Sequence, residues 1–359
     1  MIIPTGIGCC VGGYAGDAIP AARLLAAASE CLITHPNVMN GAALYWSDRR
    51  IQYVEGFAID RFAAGEIILR PVRQQKIGLL LDSGLERDLY HRHLQVADGC
   101  RASLGLNIGP IVQTDIPLEV DLIQGSSGAS WGGINNPDVL IKAGQKLKKL
   151  GATAIAVVSR FPDDDKNETL ELYRRGKGVD SLAGAEAVIS HLLVKYLSIP
   201  CAHSPALSSL PLKPNSDPRT VAEDLGHTFL PSVLVGLSRS PDLISSSDLD
   251  SSQGLGTLSS ELIKSDDLGA VIAPEGALGG AAILACLEKG IPLIAVSNPG
   301  VLNVTSKSLG IDEFVKPNRK ENILYANNYL EAAGLVLALR EGINISSLKR
   351  PLEGVEIEY

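Results

Sequence analysis

The sequence has few aromatic residues and no long cluster of basic ones. Aromatic side chains make up 4% of its 359 residues, and its formal net charge is -8. Nucleic-acid-binding proteins need basic surfaces, and those that bind single strands also need aromatic stacking platforms. We therefore expect no nucleic-acid partner, and the negative charge equally disfavours binding to an anionic membrane surface.

The sequence has no long uninterrupted apolar run, and we expect no leader segment. The run 18–28 is broken by Arg23 and the run 268–296 by three charged residues, so neither reaches membrane-spanning length. The first residues, Met1-Ile2-Ile3, are typical of a strand, and no basic segment or cleavage site accompanies them. These features predict a cytoplasmic protein with no membrane partner.

The six cysteines and six histidines form no metal-binding pattern. No Cys-x-x-Cys pair occurs, and no histidines stand at zinc spacing, so we predict no metal and reduced thiols. Cys9 and Cys10 differ from the other cysteines because they lie just before a predicted helix, whose N-terminus would lower the pKa of a thiol. They are either nucleophiles or small side chains that fill space under a loop.

Short apolar runs alternate with long helical patterns along the chain. This alternation is typical of an α/β protein with mostly parallel, doubly wound sheets, here in two or three α/β units. We assign an N-terminal unit to residues 1–75, a central unit to residues 76–244 and a C-terminal unit to residues 266–359.

Three glycine-rich passages, at 6–17, 125–133 and 275–280, are the most informative feature of the sequence. Each follows an apolar run and precedes a helical pattern. A strand, a glycine turn and a helix N-terminus together bind an anion through backbone N–H groups. The glycines serve equally well as packing devices or turn residues. If they bind a ligand, we expect all three passages to meet at one carboxyl edge of a sheet.

The spacing of the first passage disfavours a nucleotide cofactor. It reads Gly-x-Gly-x-x-x-Gly rather than the dinucleotide pattern, and His35 stands where an acidic residue would bind a ribose. Tyr14 stands where a Walker loop has lysine. A smaller anion remains, either a carboxylate or a single phosphate, and we predict no cofactor.

The candidate site residues lie in these passages or just after predicted strands. The ligand-binding candidates offer backbone N–H groups, hydroxyls, amides or a guanidinium: Gly8, Gly12, Gly13, Asn37, Asn40, Ser126, Ser127, Ser130, Ser159 and Arg160. The catalytic candidates are nucleophiles or proton carriers: Cys9, Cys10, Asp17, His35 and Glu275. For His35 the alternative is a histidine that caps a turn, and for Glu275 a carboxylate that caps the following helix.

Several motifs together resemble a domain-of-unknown-function family of cyanobacteria and plastids. They are Ile3-Pro4-Thr5-Gly6-Ile7-Gly8, Gly12-Gly13-Tyr14-Ala15-Gly16-Asp17-Ala18, Thr34-His35-Pro36-Asn37-Val38-Met39-Asn40-Gly41, Gly184-Ala185-Glu186-Ala187 and Pro200-Cys201-Ala202-His203. The resemblance covers nearly the whole chain. It implies a protein of photosynthetic lineages, located in the cytoplasm or the stroma, and it implies no activity.

A weaker likeness connects the sequence with the two-lobed racemases of aspartate and glutamate. The runs 149–158 and 268–272, each followed by a helix and a second apolar run, are similar to their paired layout. Those enzymes place a cysteine after each such strand, whereas this sequence has Ser159 and Pro274-Glu275 there. The likeness is also explained by the alternation of strands and helices that all parallel α/β units share.

These observations favour an enzyme that acts on a small anionic metabolite without a nucleotide cofactor. An isomerase, a lyase and a hydrolase all fit. The alternative is a non-catalytic metabolite-binding regulator or assembly factor of photosynthetic organisms. A homo-oligomer is compatible with the sequence. A perturbed thiol or histidine pKa would favour the enzyme.

Overall fold

Two parallel β-sheets flanked by helices form the fold in the computed structural model of the chain. The structure describes residues 1–4, 18–39, 44–45, 48–124, 130–163, 168–176, 180–208, 214–221, 228–251, 262–297, 303–311, 322–352 and 354. The α/β class with mostly parallel sheets, predicted from the alternation of runs, is confirmed.

The strands and helices of the described residues alternate along most of the chain. The strands are β1 (Ile2–Ile3), β2 (Leu32–Thr34), β3 (Ile51–Tyr53), β4 (Ile67–Arg70), β5 (Ile77–Leu81), β6 (Ile108–Gln113), β7 (Val120–Gln124), β8 (Ser130–Ile134), β9 (Ala154–Arg160), β10 (Cys201–Ala206), β11 (Asp242–Ser245), β12 (Val271–Pro274), β13 (Leu293–Val296) and β14 (Ile323–Ala326). The helices are α1 (Ile19–Ser29), α2 (Pro36–Met39), α3 (Gly56–Ala64), α4 (Arg87–Leu104), α5 (Pro137–Lys149), α6 (Glu168–Arg174), α7 (Ala183–Leu197), α8 (Pro218–Val221), α9 (Leu230–Leu237), α10 (Ser246–Ser251), α11 (Ala281–Glu288) and α12 (Tyr329–Arg340).

The larger sheet has six strands in the order β14-β13-β12-β1-β2-β3, and all of its pairings are parallel. The chain builds outward from β1 to β3 on one side and later from β12 to β14 on the other. The winding therefore reverses between β1 and β12. In doubly wound sheets, ligands bind outside the carboxyl ends of the strands at such a reversal. The first and third glycine passages follow these two strands.

The smaller sheet has four parallel strands in the order β10-β9-β5-β6. All of them come from the predicted central unit, whereas the predicted N-terminal and C-terminal units each supply three strands to the larger sheet. Parallel strands are covered on both faces, so their sequences are continuous apolar runs. Ala154 to Val158 of β9, for example, have no exposed surface.

Helices cover both faces of each sheet. On the larger sheet α1 and α12 pack together on one face, and α3 and α11 pack together on the other. On the smaller sheet α4 and α9 lie on one face and α5 and α7 on the other. Because α3 also contacts α7, the two sheets meet along these helices. None of the described helices is long and apolar enough to cross a membrane.

The second glycine passage differs from the strand, turn and helix that its sequence indicates. Residues 125–129 lie outside the described residues, but β7 and β8 on either side of them pair antiparallel, from Val120↔Ile134 to Gln124↔Ser130. This pair forms a separate small sheet. The expectation that all three passages leave one edge of a parallel sheet is therefore wrong for the second. Hairpin turns and loops that lead into a helix favour the same small residues. The local sequence therefore did not distinguish a hairpin from a strand-to-helix loop.

Candidate acid–base site between the two sheets

Glu55 connects the larger sheet to the candidate site. It follows β3 and is the N-cap residue of α3, where its Oε2 accepts hydrogen bonds from the backbone N–H groups of Phe57 at 2.8 Å and Ala58 at 3.4 Å. This capping role fixes a carboxylate that is only 4% exposed. The second oxygen, Oε1, lies 3.0 Å from Nε2 of His191. Glu55 thus orients a histidine from the other part of the fold.

His191 lies in the middle of α7, on the smaller sheet, and its side chain is 41% exposed. Burial acts to lower the pKa of His191, but the contact with Glu55 outweighs it, so the pKa is raised overall. The ring also lies near that of Phe57, with centroids 6.2 Å apart. A solvent-accessible histidine with a raised pKa can carry a proton at neutral pH.

His35 follows β2 at the carboxyl edge of the larger sheet and is partly exposed. Its Nε2 and the Nε2 of His191 both lie against Gly56: a Cβ atom at that position would be 2.9 Å from the first and 3.1 Å from the second. A side chain at position 56 would therefore crowd both rings. Burial, together with the nearby His191 and His203, lowers the pKa of His35 to about 3. His35 is neutral at physiological pH.

A second histidine–carboxylate pair lies deeper in the same region. His203, within β10, has its Nε2 3.0 Å from Oε2 of Glu186 on α7. Its Nδ1 lies 3.3 Å from Oγ of Ser190, and that hydroxyl donates to the backbone carbonyl of Glu186. All three side chains are buried. The apolar residues 199–202 end just before His203 in the sequence, whereas the structure extends β10 to Ala206 and so places His203 inside the strand.

Asp180, shortly before α7, adds another carboxyl group. Its Oδ1 accepts a hydrogen bond from the backbone N–H of Leu182. Burial and the neighbouring Glu186 raise the pKa of Asp180 to about 7. The two effects disfavour the ionised form, so this carboxyl group can hold a proton near neutral pH.

Two polar atoms in this region have unused hydrogen-bonding capacity. Within the part of the chain that the structure describes, the buried Oε1 of Glu55 and Nε2 of His203 lack a partner at a hydrogen-bonding angle. Each atom nevertheless lies 3.0 Å from an ion-pair partner, Nε2 of His191 for Glu55 and Oε2 of Glu186 for His203. Unsatisfied buried polar atoms are rare in native proteins, and a ligand is one way to satisfy them.

The histidines and carboxylates pair with one another and do not form a metal centre. Among the described residues, no three His, Cys, Asp or Glu side chains are arranged to hold a metal ion. The described cysteines are also unsuited to catalysis, because burial raises the pKa of Cys31, Cys100, Cys201 and Cys286.

Many of the sequence-predicted site residues lie outside the described residues. These are Gly8, Cys9, Cys10, Gly12, Gly13, Asp17, Asn40, Ser126 and Ser127. Asn37 lies in the short helix α2. His35 is the predicted residue that the structure brings into the acid–base site.

Within the part of the chain that the structure describes, Ser130, Ser159 and Arg160 make no hydrogen bond or ion pair with the side chains of this site. Oγ of Ser130 accepts a hydrogen bond from the backbone N–H of Gly184, and the Gly184 backbone lies so close that a Cβ atom there would be 2.6 Å from the Ser130 carbonyl. Ser159 is fully buried at the end of β9. The guanidinium of Arg160 is neutralised by Glu86 and Asp163. For Arg160, the role of an anion-binding residue is therefore disfavoured.

The third glycine passage leads into α11, and the carboxylate of Asp60 binds the N-terminus of this helix. Oδ1 of Asp60, on α3, accepts the backbone N–H of Ala282 at 3.0 Å, and this contact anchors the start of α11. Glu275 follows β12 and is half-buried, and its backbone N–H donates to Val296. Asp60 thus takes the capping role that the sequence offers to Glu275.

The sequence analysis did not identify Glu55, Asp180, Glu186 or His191 as site residues. Glu186 and Ser190 stand four residues apart, which places them on one face of a helix, but that spacing alone indicates no site. The partners of these residues come from elements far apart in the chain, and no local signal connects them.

Comparisons with known proteins identify relatives without an assigned reaction. A family described as "Protein of unknown function (DUF3326)" matches residues 1–349. A protein of Synechococcus sp. named an uncharacterized lipoprotein is 49% identical over 349 residues, which cover 97% of this chain and 92% of that protein. No solved structure matches. The resemblance to a family of unknown function is confirmed, and the likeness to racemases receives no support.

Proposed function

Because the chain belongs to the DUF3326 family, whose description names no reaction, we propose a function from the site alone. We propose an enzyme that acts on a small anionic metabolite by acid–base catalysis with His35 and His191. Isomerase, lyase and hydrolase chemistry are all within the reach of such a pair.

The convergence of His35 and His191 on Gly56 carries this proposal. The two rings come from different sheets and meet at one point, with their pKa values shifted in opposite directions. Pairs of titratable groups whose environments separate their pKa values are typical of acid–base sites. A protonated ring disfavours protonation of the other, and His191 accordingly contributes to the lowered pKa of His35.

The two histidines have different roles in the proposed reaction. His191 exchanges a proton with the substrate, because Glu55 raises its pKa and solvent reaches its ring. His35 stays neutral and polarises the substrate through a hydrogen bond, because its pKa is far below neutral. Glu55 is a positioning residue that holds His191 and sets its pKa.

The anionic end of the substrate would lie where the winding of the larger sheet reverses. β1 and β12 are neighbours there, and β2, which leads to His35, is the next strand. Neighbouring strands are about 4.8 Å apart, so a small metabolite can extend from this crevice to His35. Gly8, Gly12 and Gly13 follow β1 and are our candidates for its backbone amides, with Glu275 after β12 as a further proton carrier.

We also propose that the protein acts in the cytoplasm or the stroma, with no nucleic-acid or membrane partner. The formal net charge of -8 and the lack of a long basic cluster support the absence of these partners. Fractionation of cells that express the full chain with a C-terminal tag tests the location, and a tagged protein in the membrane fraction would contradict it. Size-exclusion chromatography with light scattering would determine whether the chain forms a homo-oligomer.

A metabolite screen tests the enzymatic proposal. Purified protein is incubated with a metabolite extract of a cyanobacterium, and small anions that disappear or form are followed by mass spectrometry. We expect the wild type to convert at least one of them. His191→Gln should slow that conversion by about 100-fold, within the range that general acid–base catalysis contributes.

His91→Gln is the matched control, because His91 lies exposed on α4, outside the site. It should convert the metabolite at the wild-type rate. Conversion that survives in both His191→Gln and His35→Asn would contradict the acid–base role. A metabolite that binds to the protein without conversion would instead support the non-catalytic regulator.

A further inference from the structure

Two helices on one face of the larger sheet carry exposed nonpolar stripes. α1 and α12 pack side by side, and Nη1 of Arg340 at the end of α12 donates to the backbone carbonyl of Ala28 near the end of α1. The two helices therefore run in the same direction. Residues three and four apart lie on one side of a helix, and the exposed nonpolar residues have this spacing. They are Pro20, Leu24 and Ala27 on α1 and Leu330, Gly334 and Leu337 on α12.

The two stripes together form the α1–α12 face, and its leucines are exposed to solvent. Leu330 is 74% exposed, Leu337 41% and Leu24 36%. A helix that covers a sheet with one side normally has polar residues on the other, and a helix with nonpolar residues all round is covered on all sides. A contiguous exposed apolar face therefore indicates an interaction site.

Residues of opposite charge border the α1–α12 face on its two long sides. Arg50, and to a smaller extent Arg23, lower the pKa of Asp48, which precedes the edge strand β3. Arg23 of α1 is therefore on the side away from α12. Glu331 of α12 is on the opposite side, because its Oε2 accepts hydrogen bonds from the backbone and side-chain N–H groups of Asn327, just after the edge strand β14. Both Arg23 and Glu331 are exposed.

We infer that the α1–α12 face binds the same face of a second copy of the chain, about a two-fold axis parallel to the helices. This axis places α1 of each copy on α12 of the other, so that Leu24 lies against the nonpolar stripe of the partner's α12. It also brings Arg23 of each copy to the partner's Glu331. The contact between the helix ends sets these two charges about one helical turn apart in level, which an arginine side chain can span.

The charges select this axis and this partner. A two-fold axis across the helices would place Arg23 of one copy against Arg23 of the other, and like charges disfavour an interface. With the axis parallel to the helices, each copy supplies both members of a complementary pair, so the contact is closed and occurs twice. The face is thus complementary to itself in charge as well as in polarity.

The size of the face predicts a reversible dimer. The helices have 11 and 12 residues, so the face is about 18 Å long and about 20 Å wide. Its footprint of about 360 Å² per copy is smaller than the about 800 Å² per partner of a standard stable interface. We therefore expect monomer and dimer to exchange at micromolar concentrations of protein.

Sedimentation velocity of the full chain, from submicromolar to high micromolar concentration, tests the dimer and its axis. We expect the wild type to change from monomer to dimer with concentration. Leu330→Glu should leave a monomer, and it should still fold because acidic residues suit the first turn of a helix. Arg23→Glu and Glu331→Arg should each weaken the dimer about tenfold or more, and the double variant should restore it.

Trp131→Glu is the control, because Trp131 is another large exposed apolar residue, 63% exposed on β8 and outside the larger sheet. It should dimerise like the wild type. A wild type that stays monomeric, a dimer that persists in Leu330→Glu, or a double charge variant that fails to dimerise would each overturn the inference. Binding of a different molecule by a monomeric wild type would overturn it as well. None of these results bears on the roles of His35 and His191.

Discussion

Oε1 of Glu55 and Nε2 of His191 lie 3.0 Å apart, across the junction between the two sheets. Glu55 is the N-cap residue of α3 on the larger sheet, and His191 lies in the middle of α7 on the smaller sheet. The pair is at once a structural contact between the sheets and the feature that sets the pKa of the proposed proton carrier.

Loss of the Glu55 charge should lower the pKa of His191. In Glu55→Gln the desolvation of His191 is no longer outweighed, so its pKa should fall below the unperturbed value of about 6.5. NMR titration of the His191 ring measures it, with His91 as the internal reference. An unchanged His191 pKa would show that Glu55 does not set it.

The same pair predicts how stability depends on pH. Because the pKa of His191 is raised in the folded state, its contribution is fully present below the unfolded pKa of about 6.5. The contribution is lost as the pH rises through the folded pKa. Urea unfolding at pH 6 and pH 9 should show this loss in the wild type and a smaller one in His191→Gln. Equal losses in the two proteins would assign the pH dependence to other groups.

Gly56→Ala should impair the site more than the fold. The new methyl group would be 2.9 Å from Nε2 of His35 and would displace that ring. Alanine suits a helix at least as well as glycine, so we expect at least a tenfold loss of metabolite conversion with little change in Tm. Gly334→Ala in α12 is the control, because its Cβ would have no atom within 4 Å. Full activity in Gly56→Ala would mean that the approach of the two rings is not needed.

Asp60→Ala should destabilise the junction of α3 and α11. It removes the acceptor for the backbone N–H of Ala282, and loss of such a cap costs about 1 kcal/mol. Asp60→Asn keeps an acceptor oxygen and should retain most of that stability. Denaturant unfolding compares the two variants, and equal stabilities would show that the cap contributes little.

Asp82→Ala should be the most destabilising of these changes. Asp82 is 1% exposed at the end of β5, and its carboxylate accepts three backbone N–H groups, from Gly84, Leu118 and Arg160. Each buried donor left unpaired costs about 1–3 kcal/mol, so we expect a loss of at least 3 kcal/mol in urea unfolding. Asp121→Ala on the exposed side of β7 should change stability by less than about 0.5 kcal/mol. A mild effect of Asp82→Ala would indicate that water replaces the carboxylate.

The sequence by itself determined the fold class and the position of His35. Parallel strands that are buried on both faces have continuous apolar sequences, and helices alternate with these strands. Local composition is therefore enough to locate both kinds of element. His35 was predicted because loops that follow parallel strands gather at one edge of the sheet, and His35 directly follows β2.

Only the tertiary structure decided which strands pair and which side chains meet. The larger sheet joins β1 to β12 across more than 260 residues of chain, and the second glycine passage connects antiparallel strands instead of a strand and a helix. Glu55 and His191 are likewise distant in sequence. The local periodicity of a sequence indicates whether a residue is buried, but it does not indicate which residue it packs against. The acid–base site therefore arises from the packing of α3 against α7, which no short segment of the sequence encodes.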